Sequence, residues 1–141
     1  MEGLQYNDSL HEYRISGAVV PSVTQVLKAG GLYRGHEWMK PEHAQRGTDV
    51  HSACQEVDDP FLGEDAIDDA LRGYVEAYKK FKVESNFRTE YVEYRICSHI
   101  YGFAGTLDRT GTIRKENYCV LDIKSGIKQP CDALQTAAYM V

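Results

Sequence analysis

Hydrophobic residues recur at helical spacing through most of the first half of the chain and at strand spacing after about residue 89. One helix face follows the positions i, i+3, i+4 and i+7: Val50, Ala53, Cys54 and Val57. We predict that this helix is capped by Thr48 and stopped by Asp58-Asp59-Pro60. A longer helix is predicted from about Asp65 to Val83, with an apolar side formed by Ile67, Leu71, Tyr74, Tyr78 and Phe81.

Turn and cap residues organise the N-terminal part of the chain. His11–Ile15 alternates like a strand and Ser16-Gly17 follows as a turn, which predicts a small hairpin. Ser22 and Gln25 have the spacing of a capping box, so a short helix should begin there and end at Gly30-Gly31. Residues 32–45 are predicted to form an irregular connection or a short helix.

Three strands and a final helix are predicted in the C-terminal part. The strands are centred on Val92–Ile96, Phe103–Arg109 and Tyr118–Lys124, and Asp132 is the expected cap of the last helix. The predicted class is α/β (α+β), with a mixed, mainly antiparallel central sheet flanked by helices. Residues 1–141 suit a single domain. The sequence stops on apolar residues of the predicted last helix. We therefore expect either that the chain is cut short or that a second copy or another partner covers this end.

Composition favours a cytoplasmic protein. Hydrophobic residues make up 43% of the chain, no apolar run is long enough to span a bilayer, and the N-terminus has no signal pattern. We therefore expect no membrane association. The expected compartment is the cytoplasm, which is that of a bacterial host if the gene is carried by a phage. The four cysteines lack a C-x-x-C pair, which favours reduced, mostly buried thiols.

The net charge of −5 argues against a protein that binds nucleic acid through its overall field. Bound cations would offset part of the acidic excess, much of which lies in Asp58–Asp69 and is expected to face solvent. A phosphate-facing surface would then be assembled from scattered basic residues: Arg34, Lys40, Arg46, Arg109, Arg114, Lys115 and Lys128.

Two acidic residues and a lysine on the predicted strands are the candidate chemistry. Asp122 and Lys124 should share one strand face, because strand side chains alternate, and Asp108 ends the neighbouring strand. Converging carboxylates form an oxygen site suited to Mg²⁺ or Mn²⁺. The backbone carbonyl of Ile123 is a further candidate ligand. Lys124 would orient or help to deprotonate an attacking water, or offset charge that develops on phosphate.

Other interpretations of the same residues stay open. Asp-x-Lys in a strand is most often a surface ion pair of small energetic value. A carboxylate-pair glycosidase would need both acids across an open sugar cleft, and the lysine two residues after Asp122 argues against it.

The ordered set of motifs resembles the PD-(D/E)XK nuclease superfamily, in its RecB-like and phage-exonuclease branch. The motifs are Gly105–Asp108, Asp122-Ile123-Lys124, Gln135–Tyr139 and, upstream, Arg46–His51, with a lead-in at His11–Thr24. The resemblance implies a restriction-endonuclease-like core and metal-dependent hydrolysis of DNA, most consistent with a phage-type exonuclease. The usual core has another strand after the last helix, which is missing here.

The resemblance also assigns roles to individual residues. It implies that Asp108, Asp122 and His51 are metal ligands and that Lys124 is the catalytic lysine. It places Gln135 and Tyr139 along the site in contact with DNA and makes Glu93 an accessory acid. Each has a plainer interpretation: His51 as an ordinary histidine of surface or core, Tyr139 as a core residue and Glu93 as an exposed strand charge.

Two expectations separate this chain from some relatives. The cysteines Cys54, Cys97, Cys119 and Cys131 do not follow the spacing of the iron–sulfur cluster that some RecB-like proteins carry, so no cluster is expected. The alternative to a nuclease is a catalytically inactive protein that keeps the nuclease fold and binds nucleic acid or a protein partner.

Overall fold

The computed structural model describes residues 3–33, 39–59, 61 and 67–141. Within these ranges the chain forms helices and strands, and the strands are divided between two three-stranded sheets. The mixed α and β class predicted from the sequence is therefore confirmed, with two sheets where one central sheet was expected.

Along the chain, a run of short strands precedes the first helices, and a run of mostly longer strands precedes the last helix. The elements are β1 (Leu4–Asn7), β2 (Glu12–Ile15), β3 (Ala18–Val20), α1 (Val23–Ala29), α2 (Pro41–Asp58), a 3-10 helix (Asp69–Leu71), α3 (Arg72–Ser85), β4 (Arg88–Ser98), β5 (Phe103–Ile113), β6 (Asn117–Leu121) and α4 (Pro130–Ala138). None of the helices among the described residues has the length and apolar character needed to cross a bilayer.

The first sheet has the order β1-β2-β3, and its hairpins are antiparallel. Tyr6 on β1 lies opposite Tyr13 on β2. Ser16 and Gly17 connect β2 to β3 with φ angles of 51° and 86°, the left-handed pair that a tight two-residue hairpin requires. The predicted strand and its Ser16-Gly17 turn are confirmed, with β3 as the second arm of the hairpin, and β1 is an additional strand.

The N-terminus of α1 is the capping box that the sequence predicts. The Ser22 side chain accepts from the Gln25 amide, and the Gln25 side chain accepts from the Ser22 amide. Gly30 caps the other end of the helix, as expected. The helix buries Val23 and Leu27.

Helix α2 begins eight residues before the predicted start, so the prediction of Thr48 as its cap was wrong. Pro41 occupies the first turn, where its fixed φ suits a helix. The N–H groups of the first turn have no carbonyl partner within the helix, so proline, which has no N–H, loses no hydrogen bond there. The Thr48 hydroxyl instead donates to the Ala44 carbonyl within the helix. The predicted apolar face is confirmed, since Val50, Ala53 and Cys54 are buried.

Helix α3 begins at Arg72, after a 3-10 helix whose first turn is capped by Asp68. The predicted start near Asp65 lies outside the described residues, and the prediction that Ile67–Leu71 belong to the α-helix was wrong. The helix ends two residues beyond the predicted Val83, where Asn86 takes a left-handed conformation with φ 51°.

The second sheet has the order β4-β5-β6, with β6 antiparallel to β5. Its last described pair on β6 is Leu121 opposite Arg109, so Asp122 and Lys124 follow the strand and the prediction that they belong to it was wrong. The strand ends because the Ile123 amide donates to the Asp108 carboxylate, which replaces a backbone partner in the ladder.

Helix α4 begins at Pro130, three residues before the predicted start, and Gln129 rather than Asp132 is its N-cap. The two residues still cooperate, because the Gln129 side chain accepts from the Asp132 amide while the Asp132 carboxylate accepts from the Gln129 amide. Asp132 is therefore the third helical residue of a capping box.

The chain divides into two compact units. The first comprises the described residues within 1–37, 93–107 and 128–141, and the second comprises those within 38–92 and 108–127. In the first unit, α1 packs against α4, and Ser22 forms a parallel bridge to Ala104.

In the second unit, α2 packs against α3. Its core is built around Val50, Cys54 and Tyr78, and partly buried Leu121 and Ile123 pack against these side chains. Gly111 is required where β5 meets the chain at Arg88, because a Cβ atom there would lie 2.0 Å from the Arg88 carbonyl oxygen.

Candidate metal site

His51 and Asp108 are brought together in the second unit by α2 and β5. His51 Nδ1 lies 3.4 Å from Asp108 Oδ1, and the side chains are 30% and 10% exposed. Two ligands on one cation at about 2.1 Å would stand about 3.0 Å apart at a right angle and further apart at wider angles. The separation of these two atoms is therefore one that a shared cation accommodates.

The backbone of Ile123 contacts both of these side chains. Its amide donates to Asp108 Oδ2 at 2.5 Å, and its carbonyl oxygen lies 2.7 Å from His51 Nε2. A carbonyl oxygen only accepts, so a hydrogen bond here needs a proton on Nε2. Nδ1 then faces the Asp108 carboxylate either with a second proton or with a lone pair, and the second case favours a cation between them.

Asp122 is a nearly buried carboxylate beside this peptide. Its side chain is 6% exposed, and Oδ2 lies 2.6 Å from Nζ of Lys124, whose side chain is 38% exposed. Oδ2 is inaccessible to water and accepts no well-aligned hydrogen bond from the described residues, so the ion pair with Lys124 is its only compensation there. The Lys124 ammonium balances this charge from one side, and a divalent cation would compensate the buried oxygen further.

A largely apolar pocket lies against Asp122 and Lys124. The cavity has a volume of about 170 Å³ and lies between α2, α3 and residues 121–124, with Val50, Tyr74 and Phe81 in its wall. Cys54 also lines it, and burial raises the pKa of this thiol to about 11. Cys54 is therefore a neutral, inert group at neutral pH and no thiolate ligand.

A buried ion pair behind the site was not predicted. Arg109 Nε donates to Asp58 Oδ2 at 2.6 Å, and the two side chains are 0% and 2% exposed. Expectations of a phosphate-facing Arg109 and a solvent-facing Asp58 were therefore wrong, because each is the partner that allows the other to be buried. Arg34 lies outside the described residues, and the other candidate basic residues are exposed: Lys40, Arg46, Arg114, Lys115 and Lys128.

Arg109 also fixes the backbone of both facing residues. Its Nη1 donates to the Asp108 carbonyl at 2.8 Å and its Nη2 donates to the His51 carbonyl at 3.4 Å. One planar guanidinium thus ties α2 to β5 next to the point where their side chains meet. In the sequence, Arg109 directly follows Asp108 on a predicted strand, and Asp58 stands at the end of the predicted helix that contains His51. Only these positions hint at the buried ion pair.

The charges of this pair are stable at neutral pH. Burial alone would raise the pKa of Asp58, but hydrogen bonds from Lys82, Thr89 and Arg109 outweigh it and hold the pKa below its ordinary value. Burial alone would likewise lower the pKa of Arg109, and the hydrogen bond and attraction to Asp58 raise it. Both groups are therefore ionised under ordinary conditions.

The remaining predicted residues belong to the first unit. Gln135 Nε2 donates to the Tyr139 hydroxyl at 3.1 Å on α4, and Tyr139 is buried. Glu93 on β4 is exposed and has a left-handed φ of 50°, which is uncommon for a residue other than glycine. Their contacts with DNA and the accessory role of Glu93 stay predictions.

In the second unit the His51 imidazole thus faces the Asp108 carboxylate, and both contact the Ile123 peptide, which lies in sequence between the Asp122 carboxylate and the Lys124 ammonium that pair with each other. Carboxylate and carbonyl oxygens with one imidazole form a donor set that Mn²⁺ and Mg²⁺ accept. All four cysteines are thiols rather than disulfides. The chain matches no protein family, no curated protein and no solved structure with which it was compared.

Proposed function

We propose that this chain is a metal-dependent deoxyribonuclease of the PD-(D/E)XK type, with a restriction-endonuclease-like core, that degrades DNA as an exonuclease. The observation that carries the proposal is Oδ2 of the nearly buried Asp122 carboxylate, which pairs with Lys124 but has no well-aligned hydrogen bond among the described residues. Asp122 directly precedes Ile123, whose peptide contacts His51 and Asp108. A carboxylate in that position is compensated by a divalent cation better than by one half-exposed lysine.

The residues present fit Mg²⁺ or Mn²⁺. Asp108, Asp122 and His51 Nδ1 would hold the ion, which supplies a Lewis acid for the phosphate and lowers the pKa of a bound water. The Ile123 carbonyl, which now lies against His51 Nε2 on the other side of the ring, would join them only in place of that hydrogen bond. The chain itself keeps these donors in place, since Asp108 and His51 are linked through the Ile123 peptide. Arg109 holds the backbone on which two of them stand.

Lys124 has the exposure that contact with a substrate requires. Its ammonium lies against Asp122, and the side chain is more than one third exposed. From there it orients a water for in-line attack and offsets the charge that grows on the phosphate. DNA is the proposed substrate, and the reduced thiols agree with action in a cytoplasm, which is that of a bacterial host if the gene is carried by a phage.

The decisive experiment is digestion of linear, end-labelled DNA with a series of divalent metals. We expect degradation with Mg²⁺ or Mn²⁺ and none in chelator, with labelled products that report exonucleolytic action and its direction. Asp122→Ala and Lys124→Ala should each reduce the rate by about 100-fold or more, because each removes a group that acts at the reacting phosphate.

Matched controls are Asp69→Asn and Lys80→Ala, which change an exposed acid and an exposed lysine outside the candidate phosphate-facing surface. They should retain the wild-type rate, and circular dichroism should show that all four variants are folded. Cleavage that survives in Asp122→Ala or Lys124→Ala, or that needs no metal, would overturn the proposal.

The second candidate is a nuclease-fold protein that binds nucleic acid or a protein partner without hydrolysing DNA. It is favoured by the hydrogen bonds that already join His51 and Asp108 to Ile123. The net charge of −5 favours a protein partner over nucleic acid held by the overall field. Binding of DNA without degradation across the same metal series would support this candidate and exclude the nuclease.

A further inference from the structure

The His51 ring is held by a hydrogen bond on one nitrogen, while the other nitrogen faces Asp108. Nε2 lies 2.7 Å from the Ile123 carbonyl oxygen, and because a carbonyl oxygen only accepts, Nε2 carries the proton of the neutral ring. Histidines that bind metals usually donate their second nitrogen to a carbonyl or a carboxylate in this way, which fixes the tautomer and the direction of the ring. The lone pair of the neutral ring is then on Nδ1, the nitrogen that faces Asp108.

The distance between His51 and Asp108 distinguishes two ways of joining the pair. A proton on Nδ1 would give a charge-assisted hydrogen bond, which is typically about 2.7–2.9 Å long. Nδ1 and Asp108 Oδ1 are 3.4 Å apart, which matches two ligands of one cation better than a direct hydrogen bond. The other oxygen of Asp108 accepts from the Ile123 amide, so a single peptide positions both facing groups.

The mixture of nitrogen and oxygen ligands distinguishes between divalent ions. Mg²⁺ prefers oxygen ligands, keeps several of its waters and is usually held by one or two carboxylates. Imidazole is a ligand of first-row transition ions, whereas carboxylates suit Mg²⁺ and Mn²⁺ alike. Asp108 and Asp122 therefore accept either ion, and an imidazole beside them favours the transition ion.

Thiolates do not compete as ligands in the second unit. Burial raises the pKa of Cys54 to about 11 and also raises the pKa of Cys119, so both thiols stay protonated at neutral pH. An ion that prefers thiolate sulfur therefore finds no ligand of that kind among the described residues of this unit. This leaves the imidazole and the carboxylates as the groups that select the ion.

We propose that the candidate metal site selects a first-row transition ion, represented by Mn²⁺, over Mg²⁺, and that His51 Nδ1 decides this selectivity. The inference rests on the proposed function for the presence of a bound divalent cation. It deepens that function, because the two carboxylates alone are compatible with either ion.

The test measures binding of the two ions to the whole chain in the absence of DNA. Mn²⁺ binding is measured by calorimetry, and Mg²⁺ binding is measured by its competition with Mn²⁺. We expect the wild-type protein to bind Mn²⁺ at least about tenfold more tightly than Mg²⁺. Equal affinities, tighter binding of Mg²⁺ or a failure to bind Mn²⁺ would each overturn the proposal.

Two replacements of His51 separate its action as a ligand from its hydrogen bond to Ile123. Asparagine can present an amide oxygen near the position of Nδ1, and glutamine can reach the position of Nε2 and donate to the Ile123 carbonyl. Neither provides a nitrogen lone pair, so the ratio of Mn²⁺ to Mg²⁺ affinity should fall by about tenfold in both variants. A ratio that persists in either variant, once circular dichroism shows that it is folded, would overturn the proposal.

His43→Asn is the matched control for these replacements. His43 is an exposed histidine on the same helix α2, so its loss should leave the ratio of affinities unchanged. A fall in the ratio as large as that of His51→Asn would contradict the assignment of selectivity to His51.

Pulsed electron paramagnetic resonance tests the ligand without any substitution. A nitrogen bound directly to Mn²⁺ modulates the electron spin echo, so the wild-type complex should show the signal of one imidazole nitrogen. The signal should persist in His43→Asn and disappear in His51→Asn. A wild-type Mn²⁺ complex without a nitrogen signal would overturn the proposal even if the His51 variants fail to fold.

The outcome is separable from that of the digestion experiment. Selective, nitrogen-bound Mn²⁺ in a protein that does not cleave DNA would support the selectivity and refute the nuclease. DNA cleavage by a protein that binds Mg²⁺ as tightly as Mn²⁺ would support the nuclease and refute the selectivity.

Discussion

Asp58→Asn should be one of the most damaging isosteric substitutions in the second unit. The wild-type carboxylate accepts from Lys82 Nζ, Thr89 Oγ1, Tyr78 Oη and Arg109 Nε, at distances between 2.5 and 3.0 Å. Asparagine keeps the shape but has no charge, and its amide group donates where Arg109 now donates. The fully buried guanidinium then loses its anionic partner.

The expected loss follows from that burial. Removing one member of a buried ion pair costs about 3–5 kcal/mol, because the other charge is left unbalanced in the interior. With a urea dependence of about 2 kcal/mol per molar, the midpoint of unfolding should fall by roughly 2 M. Asp69→Asn is the matched control: its side chain is 89% exposed and also pairs with an arginine, so its loss should stay below about 1 kcal/mol.

The same pair predicts a pH dependence. Because the folded pKa of Asp58 lies below its ordinary value of 3.8, its contribution to stability is present above roughly pH 4 and is lost as pH falls through the folded pKa. The gap in unfolding free energy between wild type and Asp58→Asn should therefore narrow on acidification. Equal losses for Asp58→Asn and Asp69→Asn at neutral pH, or a gap that widens in acid, would refute this reasoning.

Two further predictions concern the neighbours of the site. Arg109→Lys keeps the charge but loses the planar fork that holds the His51 and Asp108 carbonyls, so Mn²⁺ affinity measured by calorimetry should fall about 10- to 100-fold. Arg72→Lys, on an exposed pair, should leave that affinity unchanged, and equal affinities for both variants would contradict the assignment. Gly111→Ala should lower the free energy of unfolding by about 3 kcal/mol or more because its Cβ atom would overlap the Arg88 carbonyl, whereas thermal melting of Gly73→Ala should show no such loss. A Gly111→Ala protein that melts like the wild type would show that β5 can move away from Arg88.

Local signals in the sequence predicted the parts of the fold that neighbouring residues determine. The Ser22–Gln25 capping box, the Ser16-Gly17 turn and the apolar face of α2 each depend on side chains within two helical turns. The starts of α2 and α4 were predicted less accurately, because a proline such as Pro41 or Pro130 fits a loop between two elements as well as the first turn of a helix.

The sequence by itself determined which residues are available for chemistry: two acids, a lysine and a histidine in a recognisable order. Tertiary structure alone decided that the Ile123 peptide contacts His51 and Asp108, and that Arg109 is buried against Asp58. These contacts join positions 15 to 72 residues apart, so no local periodicity encodes them. These contacts form because two helices and a sheet bury their apolar faces against one another. Each polar group that is buried with those faces then needs a hydrogen-bond or ionic partner.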